Sequence, residues 1–111
     1  MNFKESIHAQ LNQFLTLCKS HNIKTLHVFG SFVNGSFNQD ISDVDLLIDI
    51  EEDDPIKKGT SLISIWDKFE VFFKRRVDLL TYNSIKNPVL KKNIDKTKVL
   101  VYDGRNQQIF I

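Results

Sequence analysis

Phe3, Ile7, Leu11, Phe14, Leu15 and Cys18 fall at the three- and four-residue spacing of one helix face, and polar residues fill the positions between them. The spacing predicts an amphipathic helix over residues 3–20, broken at His21-Asn22. Residues 25–29, TLHVF, are short, β-branched and aromatic, and they predict a strand that ends at Gly30. Residues 31–41 are rich in serine and asparagine around Gly35 and read as a loop with room for one short helical turn. Residues 43–50, DVDLLIDI, predict the second strand, whose side chains alternate between two faces. Val44, Leu46, Ile48 and Ile50 share one strand face, and Asp43, Asp45, Leu47 and Asp49 share the other.

The second half repeats this alternation of elements. Asp54 can cap a helix that starts with Pro55, and Leu62, Ile65, Trp66, Phe69 and Phe73 carry the apolar stripe through Lys74. Trp66, Phe69, Phe72 and Phe73 are expected in the core, with any excess forming a patch for a partner. Residues 76–81, RVDLLT, predict a third strand. Asn87-Pro88 opens a short helix to about Ile94, and residues 98–102, KVLVY, a fourth strand. The tail DGRNQQIFI carries no clear pattern. The order α-β-β-α-β-α-β predicts an α/β (α+β) fold, with helices packed on a small mixed sheet.

At 111 residues the chain is expected to form one domain, residues 1–111. With 41% hydrophobic and 26% charged residues, an intrinsically disordered chain is excluded. A net charge of +1 marks neither a nucleic-acid nor a membrane partner, but its distribution is informative. Residues 40–54 hold eight acids and no base, whereas the residues after 54 hold twelve Lys or Arg against five acids. That split suits a cation and a polyanion meeting at one place, and it also suits simple surface pairing. The single cysteine, Cys18, excludes an intrachain disulfide and falls on an apolar helix face. No apolar run approaches the ~18 residues of a membrane span, and MNFKES has no signal-peptide core, so the cytoplasm is the expected compartment.

Two strands therefore carry acids inside apolar runs: Asp43 and Asp45 on one, Asp78 on another. Asp43 and Asp45 lie roughly 7 Å apart along one strand face, close enough for their carboxylates to converge. Two ionised carboxylates repel, and one is driven to hold a proton unless a cation lies between them. Mg²⁺ takes hard oxygen ligands, commonly one or two carboxylates together with substrate phosphates. If the strand of Asp78 is a neighbour, three acids can hold two metals roughly 3.5–4 Å apart, as in in-line phosphoryl transfer, with Asp78 placed to accept a proton from the nucleophile. Gly30-Ser31 supplies the phosphate end: glycine lets the backbone turn and approach a ligand, and the Ser31 hydroxyl is a neutral donor.

Each feature also has a plainer reading. Asp43 and Asp45 suit the solvent face of an edge strand, where charge discourages aggregation. Asp49 has the same parity but lies too far along to share a metal. Gly-Ser alone is a common turn, His27 a common packed histidine, and Lys74-Arg75-Arg76 a common helix end favoured by the dipole. His8 and His21 lack the spacing of zinc ligands.

Taken together, Gly30-Ser31, the Ser42-Asp43-Val44-Asp45-Leu46 stretch and Val77-Asp78-Leu79 resemble the polymerase-β-type nucleotidyltransferase superfamily. The short chain resembles its minimal branch, the antitoxins of HEPN/MNT pairs. The resemblance spans roughly residues 23–102. It implies a nucleotidyltransferase core with Asp43, Asp45 and Asp78 as catalytic acids and Mg²⁺ ligands, two ions in all. Gly30 and Ser31 would bind the triphosphate. ATP would be the substrate, and AMP would pass to a tyrosine of a HEPN-class RNase toxin. One departure stands out: the loop of residues 32–39 has no Lys or Arg, where many members carry arginines. That keeps open an antitoxin that neutralises its partner by binding alone. A glycosyltransferase using Asp-x-Asp ranks last, because 111 residues leave no room for its usual two halves.

Overall fold

The computed structural model describes residues 2–30 and 43–111. In chain order the elements are α1 (Phe3–Ala9), α2 (Leu11–Ser20), β1 (Ile23–Phe29), β2 (Val44–Ile50), α3 (Pro55–Phe73), β3 (Val77–Leu80), a 3₁₀ turn (Tyr82–Ser84), α4 (Pro88–Thr97), β4 (Val99–Asp103) and β5 (Gln108–Ile109). The five strands form one mixed sheet in the order β3-β2-β1-β4-β5. Among the described residues β2 and β3 run parallel, and the pairs β1–β2, β1–β4 and β4–β5 are antiparallel.

The alternation seen in the sequence builds the two faces. Leu26 and Val28 of β1, Val44, Leu46, Ile48 and Ile50 of β2, and Val77 and Leu79 of β3 are all buried in one core with α1, α2 and α3. At its centre Phe14 lies 5.8 Å from Phe69 in a stacked pair, and Phe3 stacks on Phe73 at 5.0 Å. His21 ties α2 to α3, with Nδ1 donating to the Leu17 carbonyl (2.8 Å) and Nε2 accepting from the Ser64 hydroxyl at 2.9 Å. The opposite face is thinner: Leu47 packs with Ile85 and Ile94, flanked by Phe29 and Leu80. That face carries Asp45 and Asp78.

Caps fall where the sequence places them. The Asp54 carboxylate accepts from the Ile56 amide at 2.9 Å, with Pro55 at the first helical position. The Asn87 side chain accepts from the amides of Val89 and Leu90. Two expectations need correction, and the tail, which carried no clear pattern, proves to be paired. The first helix is two, broken at Gln10 (φ −134°, ψ 51°), so that α1 and α2 approach the core separately. The tail pairs as β5, and His8 Nε2 donates to the Ile111 carbonyl at 2.8 Å. Trp66 is 39% exposed rather than core.

Candidate active site

β1 ends at Phe29, whose register partner across the antiparallel pair is Asp45. Asp45 in turn is the register partner of Asp78 on parallel β3. The fold thus brings two acids from separate strands side by side, at the end of the sheet where Gly30 leaves β1. Parity keeps both off the helix-packed face: Val44 and Leu46 are buried on either side of Asp45, and Val77 and Leu79 on either side of Asp78. Asp45 is half-buried and Asp78 exposed.

Gly30 has φ +78°, a left-handed conformation that side chains rarely adopt. A Cβ there would also run into the Asp45 carboxylate, with Oδ2 the atom in collision and Cγ at 3.2 Å. Glycine is therefore needed twice at this position, for the turn and for the space the carboxylate occupies. The sequence shows the first reason but not the second.

The electrostatics follow from the crowding. Burial pushes the Asp45 carboxyl up from 3.8 to about 6, and the Asp78 charge, a hydrogen bond with Asp78 and the Asp43 charge all push the same way. Asp43 sits one residue before β2, half-buried, and acts on Asp45 through its charge. Of the residues singled out in the sequence, Asp45, Asp78 and Gly30 are thus brought together, with Asp43 alongside. Ser31 and the loop through Ser42 lie outside the described residues.

A divalent cation fits this donor set in its chemistry. Two carboxylates that can touch only when one holds a proton would both ionise around a hard cation, and Mg²⁺ commonly takes one or two carboxylates and fills the rest of its sphere with water and phosphate. Among the described residues, no three His, Cys, Asp or Glu side chains form a ready-made cage.

On the same face, starting two residues along β2 at Leu47, is a cavity of about 290 Å³ lined by His27, Asp49, Lys58, Tyr82 and Lys98 among others. Burial, then the Lys98 charge, lowers the His27 pKa below its ordinary 6.5. A larger cavity of about 440 Å³ lies at the opposite end of the strands, by Ile23, Glu51, Tyr102 and Gly104, and is not lined by Asp43, Asp45 or Asp78. The larger cavity and the paired carboxylates thus lie at opposite ends of the sheet.

The profile of the polymerase-β nucleotidyltransferases matches residues 12–107. The chain belongs to that family. The match covers both strands that carry the acids. A Methanocaldococcus jannaschii nucleotidyltransferase relative, MJ0126, provisionally named a protein adenylyltransferase, is 32% identical over 85 residues, 77% of this chain and 83% of that one. The protein adenylyltransferase MntA of Thermococcus cleftensis is 36% identical over 69 residues, 62% of this chain and 66% of that one. Among solved structures, a toxin–antitoxin complex with AMP-PNP aligns at a TM-score of 0.60 and 17% identity, covering 88% of this chain and 77% of that one. The complex of a tri-AMPylated Shewanella oneidensis HEPN toxin with its MNT antitoxin aligns at 0.56 and 16% identity, covering 89% and 74%. At these identities the structural likeness carries the fold, and the polymerase-β nucleotidyltransferase architecture is the one described above. Among the described residues no helix is long and apolar enough to cross a membrane.

Proposed function

We propose that this chain is a minimal, single-domain nucleotidyltransferase that moves AMP from ATP to a tyrosine of a HEPN-class RNase partner, acting as that partner's antitoxin in the cytoplasm. The observation that carries the reading is the register pairing of Asp45 with Asp78, delivered by two strands to the side of Gly30. Family membership supports nucleotidyl transfer. The name of the Thermococcus relative supports a protein acceptor, and the AMPylated Shewanella complex supports a HEPN toxin as that acceptor. The AMP-PNP complex supports ATP as donor.

In the reaction, the acceptor oxygen attacks the α-phosphorus of ATP and forms a P–O bond. The bond from the α-phosphorus to the β-bridging oxygen breaks, and pyrophosphate leaves with its electron pair. The hydroxyl proton passes to the exposed Asp78 carboxylate, which stands on the solvent side from which an acceptor arrives. Asp45, half-buried against Gly30, and Asp78 would together hold a divalent cation, and Asp43 would extend the same ligand set. Mg²⁺, two ions when fully loaded, would neutralise the phosphates and lower the pKa of the attacking hydroxyl. Gly30 keeps the backbone low beneath the phosphates, and Ser31 gives them a hydroxyl donor. No element of the reading calls for a nucleic-acid partner.

One observation favours a second reading. Residues 32–39 hold no Lys or Arg, so they offer the triphosphate no cation. An antitoxin that blocks its toxin by occupancy, with little or no catalysis, fits that loop. Incubation with α-phosphate-labelled ATP, Mg²⁺ and the HEPN-class protein encoded beside this chain separates the two. Label on the partner that is lost with Asp43→Asn or Asp45→Asn, while the complex still forms, establishes transfer. Neutralisation that survives both substitutions, with no label, establishes occlusion.

A further inference from the structure

Among the described residues, β3 is a four-residue strand at the edge of the sheet, bonded on one side to β2. The Val44 amide donates to the Arg76 carbonyl at 3.0 Å, so Arg76 faces β2 and the main-chain polar groups of the next residue, Val77, face away from it. At a free edge those groups would meet water. Here α3 takes both: Trp66 Nε1 donates to the Val77 carbonyl at 2.7 Å, and the Val77 amide donates to the Glu70 carboxylate at 3.0 Å. Trp66 and Glu70 are one helical turn apart, so their side chains meet one residue from the same side of α3. The residue they grip immediately precedes Asp78.

We infer that Trp66 and Glu70 are positioning residues for Asp78, fixing the register of β3 so that its carboxylate meets that of Asp45. The inference rests on the reading of Asp78 as part of the active site. Its physical basis is the weakness of a four-residue edge strand as a ruler. A slip of one residue would turn Asp78 to the helix-packed face, and a slip of two would carry it roughly 7 Å along β2. The ladder with β2 offers few bonds to resist either. The double bond to α3 is independent of that ladder and refers β3 to the helix whose Phe69 and Phe73 are locked in the core. It accounts for two polar groups that a purely packed helix would not present here. It also accounts for Trp66, whose ring lies partly in solvent while its N–H is committed to the edge.

The test measures position separately from catalysis. Asp45→Cys with Asp78→Cys places two thiols at register partners on adjacent strands, within the ~4.4–6.8 Å Cα range of a disulfide. Cys18 is buried and stays out of the exchange. Disulfide closure by mild oxidant should slow at least ~10-fold when Glu70→Ala or Trp66→Phe is added, and Glu70→Gln, which keeps an acceptor, should close within ~3-fold of the parent rate. In the chain with its aspartates intact, Glu70→Ala and Trp66→Phe should each lower kcat ~10- to 100-fold, with KM for ATP within ~2-fold and with Glu70→Gln restoring kcat. Trp66→Phe keeps an aromatic ring at this partly exposed position and so remains informative if Glu70→Ala folds poorly. Unchanged closure in both variants, or slowed closure with unchanged kcat, overturns the inference. If the unmodified chain transfers no nucleotide, the functional reading fails, and the closure rates alone still decide whether the clamp sets the position of Asp78.

Discussion

Asp45→Asn should make the ligand-free protein more stable while removing its activity. The Asp45 carboxyl is pushed up to about 6 by burial and by Asp78 and Asp43, so at neutral pH the fold holds an ion its surroundings disfavour. A rise from 3.8 to about 6 corresponds to a ceiling of about 3 kcal/mol. Asp45 is only half-buried, and screening by solvent reduces this to about 1 kcal/mol. For a chain of this size that is roughly 4 °C in Tm. The direction with pH follows from linkage. The folded pKa lies above the unfolded one, so protonation favours the fold. The wild-type protein should therefore lose stability as pH rises from about 4 through about 6, and the Asn variant, which has no proton to lose, should not. Thermal unfolding by circular dichroism in EDTA, at pH 4.5 and pH 8, measures both. The Tm advantage of the variant should be present at pH 8 and largely gone at pH 4.5. An Asn variant no more stable than wild type at pH 8, or a gap that does not change with pH, would refute the electrostatic reasoning.

Three further outcomes are expected. Gly30→Ala must hold φ +78° and displace the Asp45 carboxylate; it should cost about 1–3 kcal/mol in denaturant unfolding and more than ~10-fold in AMP transfer. Phe69→Ala empties the centre of the aromatic core and should cost about 3–5 kcal/mol in a urea titration. Burial pushes the Cys18 thiol up to about 12, so it should ignore Ellman's reagent in the native protein at pH 8 and react fully in denaturant; rapid native reaction would contradict the packing of α2.

How much of this was legible in the sequence depends on the kind of signal. The alternation in residues 43–50 foretold the burial of Val44, Leu46, Ile48 and Ile50, because a period of two has one reading once a face is apolar, but not that of Leu47, which Ile85 and Ile94 cover on the other face. Asp54-Pro55 and Asn87-Pro88 foretold two helix starts, because capping is local chemistry. The break at Gln10 was not legible: the apolar spacing runs unchanged from Ile7 to Leu11 and Phe14, and no Gly or Pro marks the kink. β5 is two residues held to β4, too short for any periodicity. Trp66 was misread because its position on the stripe suggests burial, whereas its N–H is drawn to the edge of β3. The pairing of Asp45 with Asp78 was an expectation conditional on neighbouring strands, and only the sheet order supplies that condition. Glu70 carried no sequence signal, because a helical glutamate near a helix end is usually a solvated residue.

The most direct measurement is a crystal structure of the chain with Mg²⁺ and a non-hydrolysable ATP analogue. The account predicts a cation bound by the carboxylates of Asp45 and Asp78 at about 2.0–2.1 Å, with phosphate oxygens completing its sphere above Gly30. Nucleotide bound elsewhere, or Asp45 and Asp78 turned apart with no cation between them, would contradict it.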